Sequence, residues 1–215
     1  GHVAPATALM GHSMGGGASF LGADGNPSIQ TLVNFAAAET NPSAIVAATN
    51  VLVPTLMFAA SEDCVTPIPD HQQPMYDALT VPCRALVTVL GGGHCYFAES
   101  NFNCSFGEFT CGPNLTISRE EQHDAVEDLA GLWLDHFLKG DMPAFTAFQD
   151  SMAFSSRITA LSSCLSTSVA DTWMSRPVLF PVPADDRLRI QNMVGFRVIG
   201  LMDALGRPRT VRMDD

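Results

Sequence analysis

The stretch that most constrains this chain is Ala6-Thr7-Ala8-Leu9-Met10 running into Gly11-His12-Ser13-Met14-Gly15-Gly16-Gly17. An apolar run of strand length ends in G-x-S-x-G, and small, helix-compatible residues follow. That order predicts a strand, a sharp turn carrying a strained serine, and a helix. Gly11 and Gly15 are expected where a Cβ would collide with a neighbouring element. The turn lifts the Ser13 hydroxyl clear of the sheet, and the start of the helix aims backbone N–H groups at the space beside it.

Three further apolar runs follow, at 32–37, 53–60 and 84–90, with short helical stretches between them at 14–22, 42–48 and 70–79. In the second of these helices Asn41-Pro42 reads as an N-cap followed by proline at the first helical position. Strands that are apolar on both faces and alternate with helices describe a parallel sheet in an α/β fold. Ser118 to Leu138 is the strongest helix signal. Ser118 and Glu121 form a capping box, while Ala125, Val126, Leu129, Leu132, Trp133 and Phe137 make a core-facing stripe. Gly140 ends it. Residues 151–170 are rich in Ser, Ala and Thr and read as a linker. Beyond Pro177 the chain alternates in strand fashion at 187–190 and 196–199.

A serine nucleophile needs a base within hydrogen-bond reach and a carboxylate to hold that base in the right tautomer. Ser13 follows the first run, Asp63 the third and His94 the fourth, so all three fall at strand ends. Glu62 is a rival acid whose side chain points to the opposite face. His94 follows three glycines, which allow a close backbone approach. His12 lies inside the turn motif and is expected to pack; His123 and His136 sit on the long helix, and His2 and His71 have no informative context.

The formal charge of −11 excludes the basic surface expected of a nucleic-acid or anionic-membrane binder. No apolar run has the length of a membrane span. Six cysteines without metal-ligand spacing point to disulfides in an exported protein. Two bridges are expected, Cys104–Cys111 around a small polar loop and Cys64–Cys95 between neighbouring strand ends, with Cys83 and Cys164 left free unless they pair with a segment upstream of the first residue.

Gly11-His12-Ser13-Met14-Gly15-Gly16-Gly17, Ser61-Glu62-Asp63-Cys64-Val65-Thr66-Pro67 and Gly92-Gly93-His94 resemble the α/β-hydrolase superfamily, and most of all its dienelactone-hydrolase-like and cutinase-like (polyester hydrolase) branches. The resemblance covers about residues 1–140, an α/β core followed by a helix and linker over 141–176. It implies Ser13 as nucleophile, His94 as general base and acid, Asp63 as orienter and the Met14 N–H as one oxyanion donor. It implies hydrolysis of a small or polymeric carboxylic ester, with an amide or peptide as the alternative substrate, and requires no cofactor or metal. The cysteine nucleophile of true dienelactone hydrolases is absent, which speaks against that activity. The strand and loop that carry the family's second oxyanion donor lie upstream of the first residue. The chain is therefore expected to be a truncated piece, poorly soluble and nearly inactive alone.

Residues 177–215 resemble something else. Leu179-Phe180-Pro181-Val182-Pro183-Ala184-Asp185-Asp186-Arg187-Leu188-Arg189-Ile190, then Val198 to Met202, Asp203 and Gly206-Arg207, are similar to the β-sandwich sorting domain of the type IX secretion system. That resemblance implies the secretion machinery as partner and a secreted or cell-surface protein of a Bacteroidota-like bacterium. A binding or sorting module without activity is the non-enzymatic alternative.

Overall fold

A computed structural model describes residues 6–102, 104, 108 and 114–164, together with four short strands within 178–209. Backbone packing divides the chain into two units, Gly1–Leu165 and Ser166–Asp215.

The first unit is built on a five-stranded sheet in the order β1-β2-β3-β4-β5. Strands β1 (Ala8–His12), β2 (Thr31–Phe35), β3 (Thr55–Ala60) and β4 (Arg84–Val89) follow one another in sequence and in space. Each pairs parallel to the next. Helices α1 (Met14–Ala23), α2 (Ala44–Ala48) and α3 (Gln72–Ala78) make the crossovers. All four strands therefore end on the same edge of the sheet, where ligands of open α/β sheets bind.

Alternation along the strands explains why the runs are apolar throughout. Leu32, Met57 and Leu86 face one core with Phe20, Ala47 and Met75 of the crossover helices. Val33, Leu56, Phe58 and Val87 face a second core with Leu129, Trp133 and Phe148. Burial on both faces leaves no polar side to alternate with.

The second core is closed by α4 (Arg119–Lys139) and α5 (Met142–Phe154). The Ser118–Glu121 capping box forms, and Gly140 ends α4 in the left-handed conformation at φ 75°. The indole N–H of buried Trp133 donates to Thr31 Oγ1 at 2.7 Å, and that hydroxyl donates to the Pro54 carbonyl. One hydrogen-bond chain thus ties α4 to β2 and to the start of β3.

Several sequence expectations change. The cap of α2 is Ser43, whose hydroxyl accepts from the Val46 N–H; Asn41 lies before it. The stretch 151–170, read as a linker, carries the end of α5 and a fifth strand, β5 (Ile158–Ser162), antiparallel to β4. Only Ile158 of that strand is buried. An edge strand with four exposed residues needs no apolar alternation, and Ile158-Thr159-Ala160-Leu161-Ser162 shows none, so it reads as loop.

The strand also overturns the expectation that Cys83 and Cys164 are free. Cys83 stands just before β4 and Cys164 just after β5, and the antiparallel pairing brings them into a disulfide. Neither expected bridge forms. Cys95 pairs with Cys104, which removes both Cys64–Cys95 and Cys104–Cys111. Cys64 is itself disulfide-bonded, and Cys111 lies outside the described residues. Neighbouring strand ends do not suffice for Cys64–Cys95 because His94 opens a 3-10 turn, His94–Phe97. Successive side chains there diverge by about 120°. With His94 turned toward Asp63, Cys95 is carried away into the buried side of the loop.

In the second unit β6 (Val178–Phe180) pairs antiparallel with β7 (Arg189–Gln191), and β8 (Leu201–Met202) with β9 (Pro208–Arg209). The expected strand at 196–199 lies outside the described residues.

Candidate active site

Ser13 is the residue between β1 and α1, with φ 56° and ψ −122°. A non-glycine residue at positive φ is strained and persists only where its surroundings enforce it. Backbone bonds do so here. The Ser13 N–H donates to the Phe35 carbonyl, and its own carbonyl accepts from the Gly17 and Ala38 N–H groups. The glycines of the turn divide by role. A Cβ on Gly11 would lie 2.1 Å from the Gly15 carbonyl oxygen, on Gly16 2.8 Å from Ala37, and on Gly17 2.3 Å from the Ala38 oxygen. Gly15, expected to be tight, has open space around its Cβ position. The crowding falls one and two residues later, where α1 lies against the loop after β2.

The strained turn leaves the Ser13 hydroxyl out of the helix cap, since it accepts no bond from the N–H groups of α1. Met14 is the first residue of that helix and is 72% exposed. Its N–H is one of the helix-start donors with no intrahelical partner, and the N-terminal dipole favours negative charge there.

Asp63 and His94 are both buried and are brought into direct contact. His94 Nδ1 stands 2.8 Å from Asp63 Oδ2. The other carboxylate oxygen, Oδ1, accepts from the Val65 and Thr66 N–H groups, each at 2.8 Å. Thr66 Oγ1 lies 2.8 Å from Asp63 Oδ2, 3.1 Å from His94 Nδ1 and 3.3 Å from the Ala36 oxygen. An acceptor-only carboxylate next to Nδ1 calls for an N–H at that atom, which leaves Nε2 as the lone-pair nitrogen. Glu62, the rival acid, is engaged by its neighbour Ser61 instead.

His12, the residue before Ser13, contacts His94. Its Nε2 lies 3.0 Å from the His94 carbonyl oxygen, so that nitrogen carries the proton. Its ring centroid is 4.7 Å from that of His94. Burial, and then repulsion from a positive charge on His94, hold the His12 pKa below the ordinary histidine value. Among the described residues no hydrogen bond joins the Ser13 hydroxyl to His94; such bonds commonly tighten only when substrate binds.

The remaining histidines lie elsewhere. His71 precedes α3 and accepts from the Glu39 N–H. His136 stacks on Phe145 beside the end of α4, His123 is on the same helix, and His2 is outside the described residues. Among the described residues no group of His, Cys, Asp and Glu side chains could hold a metal ion, and no helix is long and apolar enough to cross a membrane.

Sequence reasoning passed over Thr66, and the residues that hold the His94 loop from outside. Thr66 carries a local signal, because an Asp followed by a hydroxyl residue three positions later suits a side-chain-capped turn. The others carry none, since their partners are distant in sequence.

Residues 4–112 match the PETase family model, described as PET hydrolase-like. Cutinase 1 of Thermobifida cellulosilytica is 29% identical over 103 residues, which take in 48% of this chain and 37% of that protein. Cutinase 2 of the same organism is 31% identical over 104 residues, with the same shares. A cutinase of Thermobifida fusca (strain YX) is 29% identical over 103 residues, 48% of this chain and 33% of its own length. The match thus spans about a third of each relative's length. Ser13, Asp63 and His94 all fall within the residues that match the family.

Proposed function

From the premise that this chain belongs to the PET hydrolase-like family, we propose that it carries the catalytic centre of a serine hydrolase of carboxylic esters, with Ser13, His94 and Asp63 as its triad. The observation that carries the reading is the buried Asp63–His94 pair on the same sheet edge as a serine at φ 56°. In the proposed cycle Ser13 Oγ attacks the ester carbonyl while His94 Nε2 takes its proton. Asp63 holds Nδ1–H and stabilises the imidazolium that forms. The tetrahedral oxyanion sits against the helix-start N–H of Met14, where each such donor contributes about 3–4 kcal/mol to lowering the barrier. The imidazolium then protonates the leaving alkoxide, and the acyl-serine is cleaved by water activated at the same Nε2. None of these steps calls on a cofactor. The substrate class, a small or polymeric ester, follows the names of the relatives.

Among the described residues no cysteine is free, which supports an oxidising, extracytoplasmic setting. Residues 177–215, with their two antiparallel strand pairs, are proposed as the segment that addresses the protein to a secretion system; fusing them to a periplasmic reporter in a type IX-competent host should carry the reporter to the surface or medium.

The test of the triad is chemical. A fluorophosphonate should label Ser13, and Ser13→Ala should lose both the label and the hydrolysis of p-nitrophenyl esters. Labelling that survives the substitution rejects the assignment. Comparing p-nitrophenyl esters with the matching anilides separates an esterase from an amidase.

A further inference from the structure

Gly93, the residue before His94, is extended at φ −129° and ψ 172°. The conformation is an ordinary extended one, but glycine has no side chain to bias its backbone toward it, so a partner that holds it has more freedom to remove here than at other residues. The group that meets it is Gln122 on the first turn of α4, which is fully buried. Its Nε2–H donates to the Gly93 carbonyl at 2.9 Å, and its Oε1 accepts from the Gly93 N–H at 3.0 Å. One flat carboxamide therefore grips both peptide planes around Gly93. The adjoining glycines leave room for it: a Cβ on Gly92 would stand 2.3 Å from Gln122 Oε1.

Other side chains take up the groups that follow. His12 holds the His94 carbonyl at 3.0 Å, and Glu108 Oε1 accepts from the Cys95 N–H at 3.2 Å. Arg119, one turn before Gln122, donates to the Cys95 and Ala98 carbonyls. Gln122 differs from these in standing on the upstream side of His94, where the chain leaves β4. Helix α4 does not need it for its own start, since Ser118 and Glu121 supply the cap. It also lies outside the stretch that matches the family, residues 4–112.

We propose that Gln122 is a positioning residue for the reaction: by fixing the two peptide planes at Gly93 it sets the origin and direction of the His94 side chain, and hence the reach of Nε2 toward Ser13. The inference rests on the triad proposed above. Buried polar groups that lose their partners seek new ones, so without the carboxamide the Gly93 peptides rotate and the imidazole swings off line. A displacement on the order of 1 Å at a catalytic group can cost about 100-fold in rate.

The test uses the full chain and two variants. Gln122→Leu keeps the volume and removes both bonds. Gln122→Glu keeps the acceptor and can donate only while its carboxyl is protonated, a form that burial favours. Ester hydrolysis is measured per active serine, counted by fluorophosphonate labelling taken to completion. For Gln122→Leu, kcat per labelled serine should fall by about 10- to 100-fold with KM unchanged. For Gln122→Glu, activity should approach the parent's at the acid end of the profile and drop as pH rises, adding an alkaline limb that the parent lacks. A kcat per labelled serine equal to the parent's, or a Gln122→Glu profile of the parent's shape, overturns the proposal. If Gln122→Leu does not fold, the Gln122→Glu profile decides alone. Retention of label and activity in Ser13→Ala would instead place the error in the triad.

Discussion

The serine turn and the histidine loop stand on the same sheet edge but are held by different means. Ser13 is held by backbone alone: a strained φ, three backbone hydrogen bonds and glycines that let α1 close on the loop after β2. His94 is held by side chains from outside its own loop. Asp63 and Thr66 come from the turn after β3, His12 from β1, and Gln122 and Arg119 from α4, with a disulfide to Cys104 behind it. Ser13, the proposed nucleophile, is fixed by backbone geometry, which leaves little freedom for adjustment. His94, the proposed base, is fixed by side-chain hydrogen bonds, which can be tuned singly. Damage to the first should therefore destroy the fold, whereas damage to the second should reduce the rate of a folded protein.

The largest expected effect is at the turn. Gly11→Ala drives a Cβ to 2.1 Å from a backbone oxygen, a clash with no flexible partner to yield. A loss of about 4 kcal/mol or more is expected, read as failure to recover folded protein by circular dichroism. A folded and fluorophosphonate-reactive Gly11→Ala would show that the turn is less rigid than its geometry implies.

Next is Asp63→Asn, on the other side of the comparison. The amide favours the wrong tautomer of His94, so kcat should fall by about 10⁴-fold while the melting temperature moves far less. If Glu62→Gln has that effect and Asp63→Asn does not, the acid is the neighbouring residue.

The disulfides sharpen the contrast. Cys83–Cys164 joins the start of β4 to the end of β5, at the opposite end of those strands from His94. Replacing both by serine should cost about 2–5 kcal/mol in urea unfolding and leave kcat unchanged. Replacing Cys95 and Cys104, whose bridge closes only a nine-residue separation, should reduce kcat more than stability.

The smallest effect concerns His12. Its pKa is held down by burial and by repulsion from His94, while the unfolded residue titrates near about 6.5. The unfolded state therefore takes up protons first, and the stability due to neutral His12 is complete above that value and lost as pH falls through the lower folded pKa. The melting temperature should decline on acidification below pH ~6.5, and less steeply in His12→Phe. An equal slope in both proteins would remove His12 from the acid response.

The same division decides what can be read from the sequence. The serine turn, the four parallel strands and α4 are written locally, in glycine spacing, apolar runs and a capping box, and each stands where the residues put it. Asp63 and His94 are legible as strand-end residues, because parallel strands bring their ends together by topology. Gln122 is an ordinary residue in a helical stretch, and nothing within ten positions announces that it will meet Gly93. Strand β5 is hidden for a different reason. Four of its five residues are exposed, so it shows no apolar alternation, and the Cys83–Cys164 pairing disappears from view with it. Non-local partners leave no periodicity.

The Cys83–Cys164 bond also has a mechanical consequence. It closes a covalent ring over a sequence separation of 81, and His94 lies inside that ring while Ser13 and Asp63 lie outside it. Extending the oxidised chain from its two ends takes the covalent path across the sulfur bridge, so the segment between Cys83 and Cys164 adds no length. An oxidised molecule stretched to its full contour should come up short by about 280 Å relative to a reduced one, at roughly 3.5 Å per residue. Extension of the oxidised molecule therefore draws out the segments that carry Ser13 and Asp63 while the His94 loop stays within the covalent ring.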